Sequence, residues 1–156
     1  YAARGIEPKI KRPEENFPAH KVWRKLMFGP VRIPFESVML FNVVSLKHGV
    51  DFDDVEMALA EMCSVVKENY GNEEGGFIAG QVFKYAGFIS EEGTVGGFGE
   101  EKEHVAIVTY WKSFEQHEAS HVDSAFLEKF STLIEMCSDT KELGYELLWQ
   151  GMTEKH

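Results

Sequence analysis

Apolar residues fall along the chain in four short runs and two longer stripes, separated by polar or glycine-rich stretches. The first run, residues 37–46, reads Ser-Val-Met-Leu-Phe-Asn-Val-Val-Ser-Leu. It is brief, apolar and rich in β-branched residues, which predicts a strand ended at Gly49. Asp51 or Asp53 then caps a helix, with acids in the first turn where the helix dipole favours them. Phe52, Val55, Leu59, Met62 and Val66 recur at three- and four-residue steps and form one apolar helical face, closed by Asn69-Tyr70-Gly71. A second strand is predicted over 76–89, with Gly80 and Gly87 marking bulges or close contacts. A third is predicted over 104–111. Ser113 with Gln116 three residues on has the spacing of a capping box. It predicts a helix that bends near Asp123-Ser124 and runs to about Cys137. The last strand is predicted over 144–149.

The order is βαββαβ, two βαβ units in one chain. It predicts a ferredoxin-like α+β domain, a four-stranded antiparallel sheet with its helices on one face. The bare face then needs a cover. In a chain of 156 residues the expected cover is a second subunit, making a dimeric α/β barrel and a homodimer or higher homo-oligomer.

The folded body is expected at 36–156. Residues 1–35 hold all five prolines and read as an irregular arm, because proline fixes φ and donates no backbone hydrogen bond. Within the arm, residues 20–28 predict a short helix that sets Val22, Trp23 and Leu26 on a surface. Residues 90–103 form a polar loop with Gly93, Gly96, Gly97 and Gly99. The loop matches no phosphate-binding fingerprint and follows no parallel strand, so it reads as a turn or mobile lid.

Net charge is -10 and unevenly spread: residues 1–30 carry seven Lys or Arg against three Glu. An acidic body argues against nucleic acid as a partner. The basic arm reads as lying on an acidic surface, its own or a neighbour's, with a membrane or nucleic-acid tether as the alternative. No apolar run nears the ~20 residues that span a bilayer. Two cysteines outside any C-x-x-C pair suit free thiols in a reducing, cytoplasmic setting. The chain opens on Tyr1 rather than Met, which leaves room for a removed leader.

The sharpest chemical signal is His117-Glu118-Ala-Ser-His121. Histidines at i and i+4 share a helix face, and their imidazoles can converge on one cation. The same five residues match H-E-x-x-H, in which Glu118 is the general base of a zinc peptidase. That reading wants a larger scaffold with a cleft between subdomains. Cys63 borders the stripe Leu59–Val66 and on its own reads as a small buried hydrophobe, and Cys137 reads as structural.

The run Val108-Thr-Tyr-Trp-Lys-Ser-Phe-Glu-Gln-His-Glu-Ala-Ser-His121 resembles the first half of the sulfur oxygenase reductases. A later Glu142-Leu-Gly-Tyr145-Glu146-Leu-Leu-Trp149 matches that family's Glu-x-x-Tyr-Glu element. These are non-haem iron enzymes built on the βαββαβ unit, longer than this chain and holding a second such unit. The resemblance implies His117, His121 and Glu142 as iron ligands. Two histidines and a carboxylate leave open positions for O₂ and a sulfur or small apolar substrate. It implies Cys63, followed by Gly76-Phe77, as a thiol that takes up a sulfane chain. Glu118 or Tyr145 is then expected to orient a ligand imidazole. The segment from Trp111 through His121 to Phe126 also resembles antibiotic-biosynthesis monooxygenases and haem-binding relatives of the same fold. There His121 is a lone catalytic or haem-facing histidine. A third reading is a non-enzymatic dimer that binds a metal or ligand and docks its basic arm on a partner.

Overall fold

The structure, a computed structural model, describes residues 31–87, 90–96 and 101–152. Its elements run β1 (Val38–Leu46), α1 (Phe52–Tyr70), β2 (Phe77–Lys84), β3 (His104–Trp111), α2 (Phe114–Ser120), α3 (Ser124–Ile134) and β4 (Cys137–Glu146). The strands form one antiparallel sheet in the order β2-β3-β1-β4. This is the ferredoxin-like α+β arrangement the sequence predicts.

Alternation along the two central strands sorts their side chains. Leu40, Val44 and Leu46 of β1 and Val105, Ile107 and Trp111 of β3 join Val55, Leu59, Met62 and Val66 of α1 and Phe126 and Leu133 of α3 in the core. α1 starts where expected, because Asp51 Oδ1 accepts a hydrogen bond from the Asp53 amide at 2.9 Å. The opposite face of the sheet carries Met39, Phe41 and Val43, paired in register with Tyr110, Val108 and Ala106 on one side and with Tyr145, Leu143 and Lys141 on the other. On this face Phe83, Leu143 and Tyr145 are 40–50 % exposed. A groove of about 530 Å³ crosses one end of it, between Met39, Tyr110 and Tyr145 below and Ile33, Leu148 and Trp149 above.

Three predicted elements differ in extent. β2 ends at Lys84 rather than at residue 89. The Tyr85 amide still donates to the His104 carbonyl, but Gly87 turns away with φ +103°. Its irregularity lies between Phe77 and Ala79 rather than at Gly80. The second predicted helix is two helices. Asp123 accepts hydrogen bonds from the amides of Ala125 and Phe126 at 2.8 and 3.1 Å, so it caps α3 where the sequence suggests only a bend.

The largest departure is β4, which begins at Cys137, seven residues ahead of the predicted start. Its segment 138–141, Ser-Asp-Thr-Lys, lacks apolar alternation because a strand exposed on both faces needs none. The apolar residues Leu147, Leu148 and Trp149 lie beyond its end. Cys137 is buried and donates from sulfur to the Leu133 carbonyl.

Residues 1–30, with the predicted short helix, lie outside the described residues, as do Gly97 and Gly99 of the glycine-rich loop. The part of that loop at 90–96 is a turn in which Ser90 Oγ accepts from the Gly93 amide and the Ser90 carbonyl accepts from Thr94 Oγ1. Among the described residues no helix is long and apolar enough to cross a membrane.

Candidate metal centre

The site is built on α2, and local contacts fix where that helix starts. Ser113 accepts from the Gln116 amide as its cap. The Gln116 side chain does more than close a capping box. Its Nε2 donates to the carbonyls of Glu73 and Glu74 at 3.2 and 3.0 Å, tying the helix to the α1–β2 connection. Gly76 makes room for this. It has φ +79°, and a Cβ there would lie 2.5 Å from the Gln116 amide group. The Lys112 amide donates to the Gly76 carbonyl, and the Lys112 ammonium pairs with Glu73.

One turn on, His117 is 4 % exposed and stands edge-on to Trp111, ring centroids 5.2 Å apart. His121 closes α2. Its ring lies 4.3 Å from that of His117 and stacks on Phe126. Glu142 arrives from the middle of β4, directly opposite Asn42 of β1. Its Oε2 is 3.3 Å from His117 Nε2, 3.8 Å from His121 Nε2 and 3.0 Å from the Asn42 amide that donates to it. Ligand atoms of His117, His121 and Glu142 thus lie within 4.8 Å of one another.

Burial works to raise the Glu142 pKa. Hydrogen bonding and charge from His117, with the Asn42 hydrogen bond and the His121 charge, outweigh it and hold the carboxyl below its usual value. On the far side, Glu118 sets Oε1 3.4 Å from His117 Nδ1 and Oε2 3.9 Å from His121 Nδ1. Neither contact has hydrogen-bond geometry, and His117 Nδ1 is buried without a partner.

These residues fit a cation. Ligands at about 2.1 Å from a metal, in octahedral to tetrahedral arrangement, sit about 3.0–3.4 Å apart. The 3.3 and 3.8 Å from Glu142 Oε2 to the two Nε2 atoms lie at or near that range, and with all three ligand atoms within 4.8 Å of one another the set would close inward to hold a cation. A cation held by both Nε2 atoms would leave the proton on each Nδ1, facing Glu118. That is the usual outer partner of a metal-bound histidine and gives the orphaned Nδ1 of His117 a role.

The fold and this geometry allow a comparison with known proteins. No family model matches the chain, and no curated protein matches it. Solved structures do. SnoaB from Streptomyces nogalater, described as a cofactor-independent oxygenase, aligns in a mutant form with a TM-score of 0.53 at 9 % identity, over 74 % of this chain and 96 % of that one. A candidate antibiotic biosynthesis monooxygenase from Caulobacter crescentus aligns at 0.54 and 8 %, over 74 % and 93 %. Another from Nitrosomonas europaea aligns at 0.50 and 13 %, over 76 % and 97 %. The chain has their fold. At these identities the likeness reaches no further than architecture.

Two expected site residues stand apart from the cluster. Tyr145 is on the other face of the sheet, edge-on to Phe41 at 6.4 Å. Positions 142 and 145 have opposite parity along a strand, so one side chain cannot face the helices with the other. Cys63 is absent from the gathered ligands. As a residue it is half-buried, but its sulfur is desolvated, and that burial pushes the thiol up to about 11. That burial works against the thiolate which the sulfane-carrying role implied by the resemblance would need. Sequence reasoning missed Asn42, which orients the carboxylate, and Phe114, whose ring edge would lie 2.9 Å from a Cβ on Gly144. The only available hint was the glycine two residues after Glu142.

Proposed function

We propose that this chain is a metal-dependent oxygenase in which His117, His121 and Glu142 hold a divalent first-row metal, iron before zinc. The observation that carries the reading is the convergence of two imidazole nitrogens from α2 and one carboxylate from β4 within 4.8 Å. Two histidines and one carboxylate leave coordination positions open, which favours iron and oxygen chemistry over a closed structural site. When bound, the metal supplies a Lewis-acid centre at which O₂ and substrate can meet.

The chain's own residues do the rest. Asn42 holds Glu142 Oε2 toward the imidazoles. Glu118 stands ready to keep the proton on each Nδ1, so that Nε2 is free to ligate. Trp111 and Phe126 wall the rings on either side, Trp111 against the buried His117 and Phe126 against His121. Access is from the His121 side, where that imidazole is one-third exposed against 6 % for His117. These apolar walls suit a sulfur or small apolar substrate, in line with the resemblance to sulfur oxygenase reductases. The bare sheet face, apolar at Met39, Phe41, Val43, Phe83, Leu143 and Tyr145, suits a second copy of the chain.

A second reading is supported by the fold of SnoaB, described as cofactor-independent. In it the cluster is a buried ion pair and His121 alone touches substrate. Metal analysis of untagged protein separates the two. The metal reading expects stoichiometric iron or zinc that is lost in each of His117→Ala, His121→Ala and Glu142→Ala, with O₂ uptake lost alongside. Oxygen uptake by metal-free protein would overturn it in favour of the second reading. Metal that survives all three substitutions would place the centre elsewhere.

A further inference from the structure

The cluster opens onto a line of aromatic rings that differ in how readily they lose an electron. From His117 the line passes to Trp111 at 5.2 Å and from Trp111 to Tyr70 at 6.4 Å. Its other members, Phe77 beside Trp111 and Phe126 and Phe130 beyond His121, are too hard to oxidise to carry charge. Among the described rings of this line, only Trp111 and Tyr70 are readily oxidised. Separations of this size lie well within the reach of electron tunnelling between side chains.

The hydrogen bonds along the branch give it a direction. Trp111 is 2 % exposed, and its Nε1 donates to the Thr109 hydroxyl at 2.9 Å. A hydroxyl is no base, so an oxidised indole there keeps its proton and stays a strong oxidant. The Tyr70 hydroxyl instead donates to the Asp123 carboxylate at 2.8 Å. A phenol that loses an electron becomes strongly acidic, and a carboxylate at that distance receives its proton. The hole therefore passes through Trp111 and stops at Tyr70, away from the metal and part-way to the surface.

We propose that Trp111 and Tyr70 form a one-electron relay that discharges the metal centre when it is oxidised by O₂ or peroxide without substrate. One electron leaves Trp111 for the oxidised centre. One electron then leaves Tyr70 for Trp111, and the phenolic proton crosses to Asp123. The centre is reduced by one electron, Trp111 is restored, and Tyr70 becomes a neutral tyrosyl radical that an external thiol or ascorbate reduces. The relay rests on the proposed metal-dependent reading, and it protects His117 and His121 from oxidation by their own metal.

The test uses electron paramagnetic resonance rather than turnover. Full-length protein is loaded with ferrous iron, its iron content is measured, and it is mixed with hydrogen peroxide and frozen. The expected signal is a tyrosyl radical that is lost in Tyr70→Phe and in Trp111→Phe, both checked for retained iron. A radical of equal yield in Tyr70→Phe, or no radical in protein that holds iron, overturns the relay. If Trp111→Phe fails to fold or to hold iron, Tyr70→Phe alone decides. If the wild type takes up no iron, the metal reading fails separately. Metal-free protein is then oxidised with photogenerated tris(bipyridyl)ruthenium(III). A radical absent from Tyr70→Phe still marks the Tyr70–Asp123 pair as the hole trap, and one unaffected by that substitution overturns it.

Discussion

Each imidazole at the cluster turns its two nitrogens toward different carboxylates, and this gives Glu118 and Glu142 different work. Glu142 faces both Nε2 atoms and Glu118 both Nδ1 atoms. Removing the outer carboxylate would leave the proposed ligand set whole but loosen its aim. Glu118→Ala is expected to weaken metal binding by ~10-fold, the low end of the usual range for outer partners, because this carboxylate is well exposed. A competition titration with a chromophoric chelator measures it, and an unchanged constant would remove Glu118 from the site. The buried thiol gives a second test. With Cys63 pushed up to about 11 from 9.0, its alkylation by iodoacetamide in native protein should keep accelerating from pH 9 to 11 rather than levelling off near 9. The sign for stability follows: the folded state favours the neutral thiol, so this contribution is whole below pH 9 and is lost as pH rises toward 11. A flat alkylation rate above pH 9 would show an ordinary thiol.

At the scale of elements, Phe114 opens α2 and packs where Gly144 of β4 has no side chain. A methyl group there overpacks the joint between helix and strand. Gly144→Ala is expected to cost about 1–3 kcal/mol, read as a lower urea midpoint at unchanged slope, with most of the loss recovered in Gly144→Ala/Phe114→Leu. A Gly144→Ala protein as stable as the wild type would show that the ring moves freely. The same elements show what the sequence made legible. β1, α1 and β3 bury one face or stripe, and their apolar spacing reveals them. Ser113 and Asp51 announce their helices because a capping oxygen is a local chemical need. β4 buries almost nothing except Cys137, so its polar first half reads as a linker and only its apolar end is noticed. That error misplaces Tyr145, since strand parity cannot be read without the right pairing. The His117–His121 pair needs only helical spacing and is legible. The approach of Glu142 is set by its register against Asn42, 100 residues away, and here only the family resemblance pointed to it.

For the molecule as a whole, the two faces of one sheet divide the labour. One face packs against the helices and holds the cluster. The other presents Met39, Phe41, Val43, Phe83, Leu143 and Tyr145, with Gln81 and Lys141 among them. A face this apolar is unusual on a free surface, and a symmetric second copy would cover it. Sedimentation is expected to show a dimer that Leu143→Lys shifts to monomer, with the helix-side metal retained. A wild-type monomer at high concentration would leave that face without its proposed cover.

β4 lies at the end of the sheet and pairs with β1 alone. In the proposed metal site the anionic donor therefore hangs from a rail fastened along one side, while the two nitrogen donors ride a helix that starts against the α1–β2 connection. Whatever zips or loosens that rail from outside, heat or a foreign strand laid along its free margin, would change how firmly the proposed site grips an ion without touching any donor atom. Ion affinity would then serve as a gauge of how well the last strand is seated.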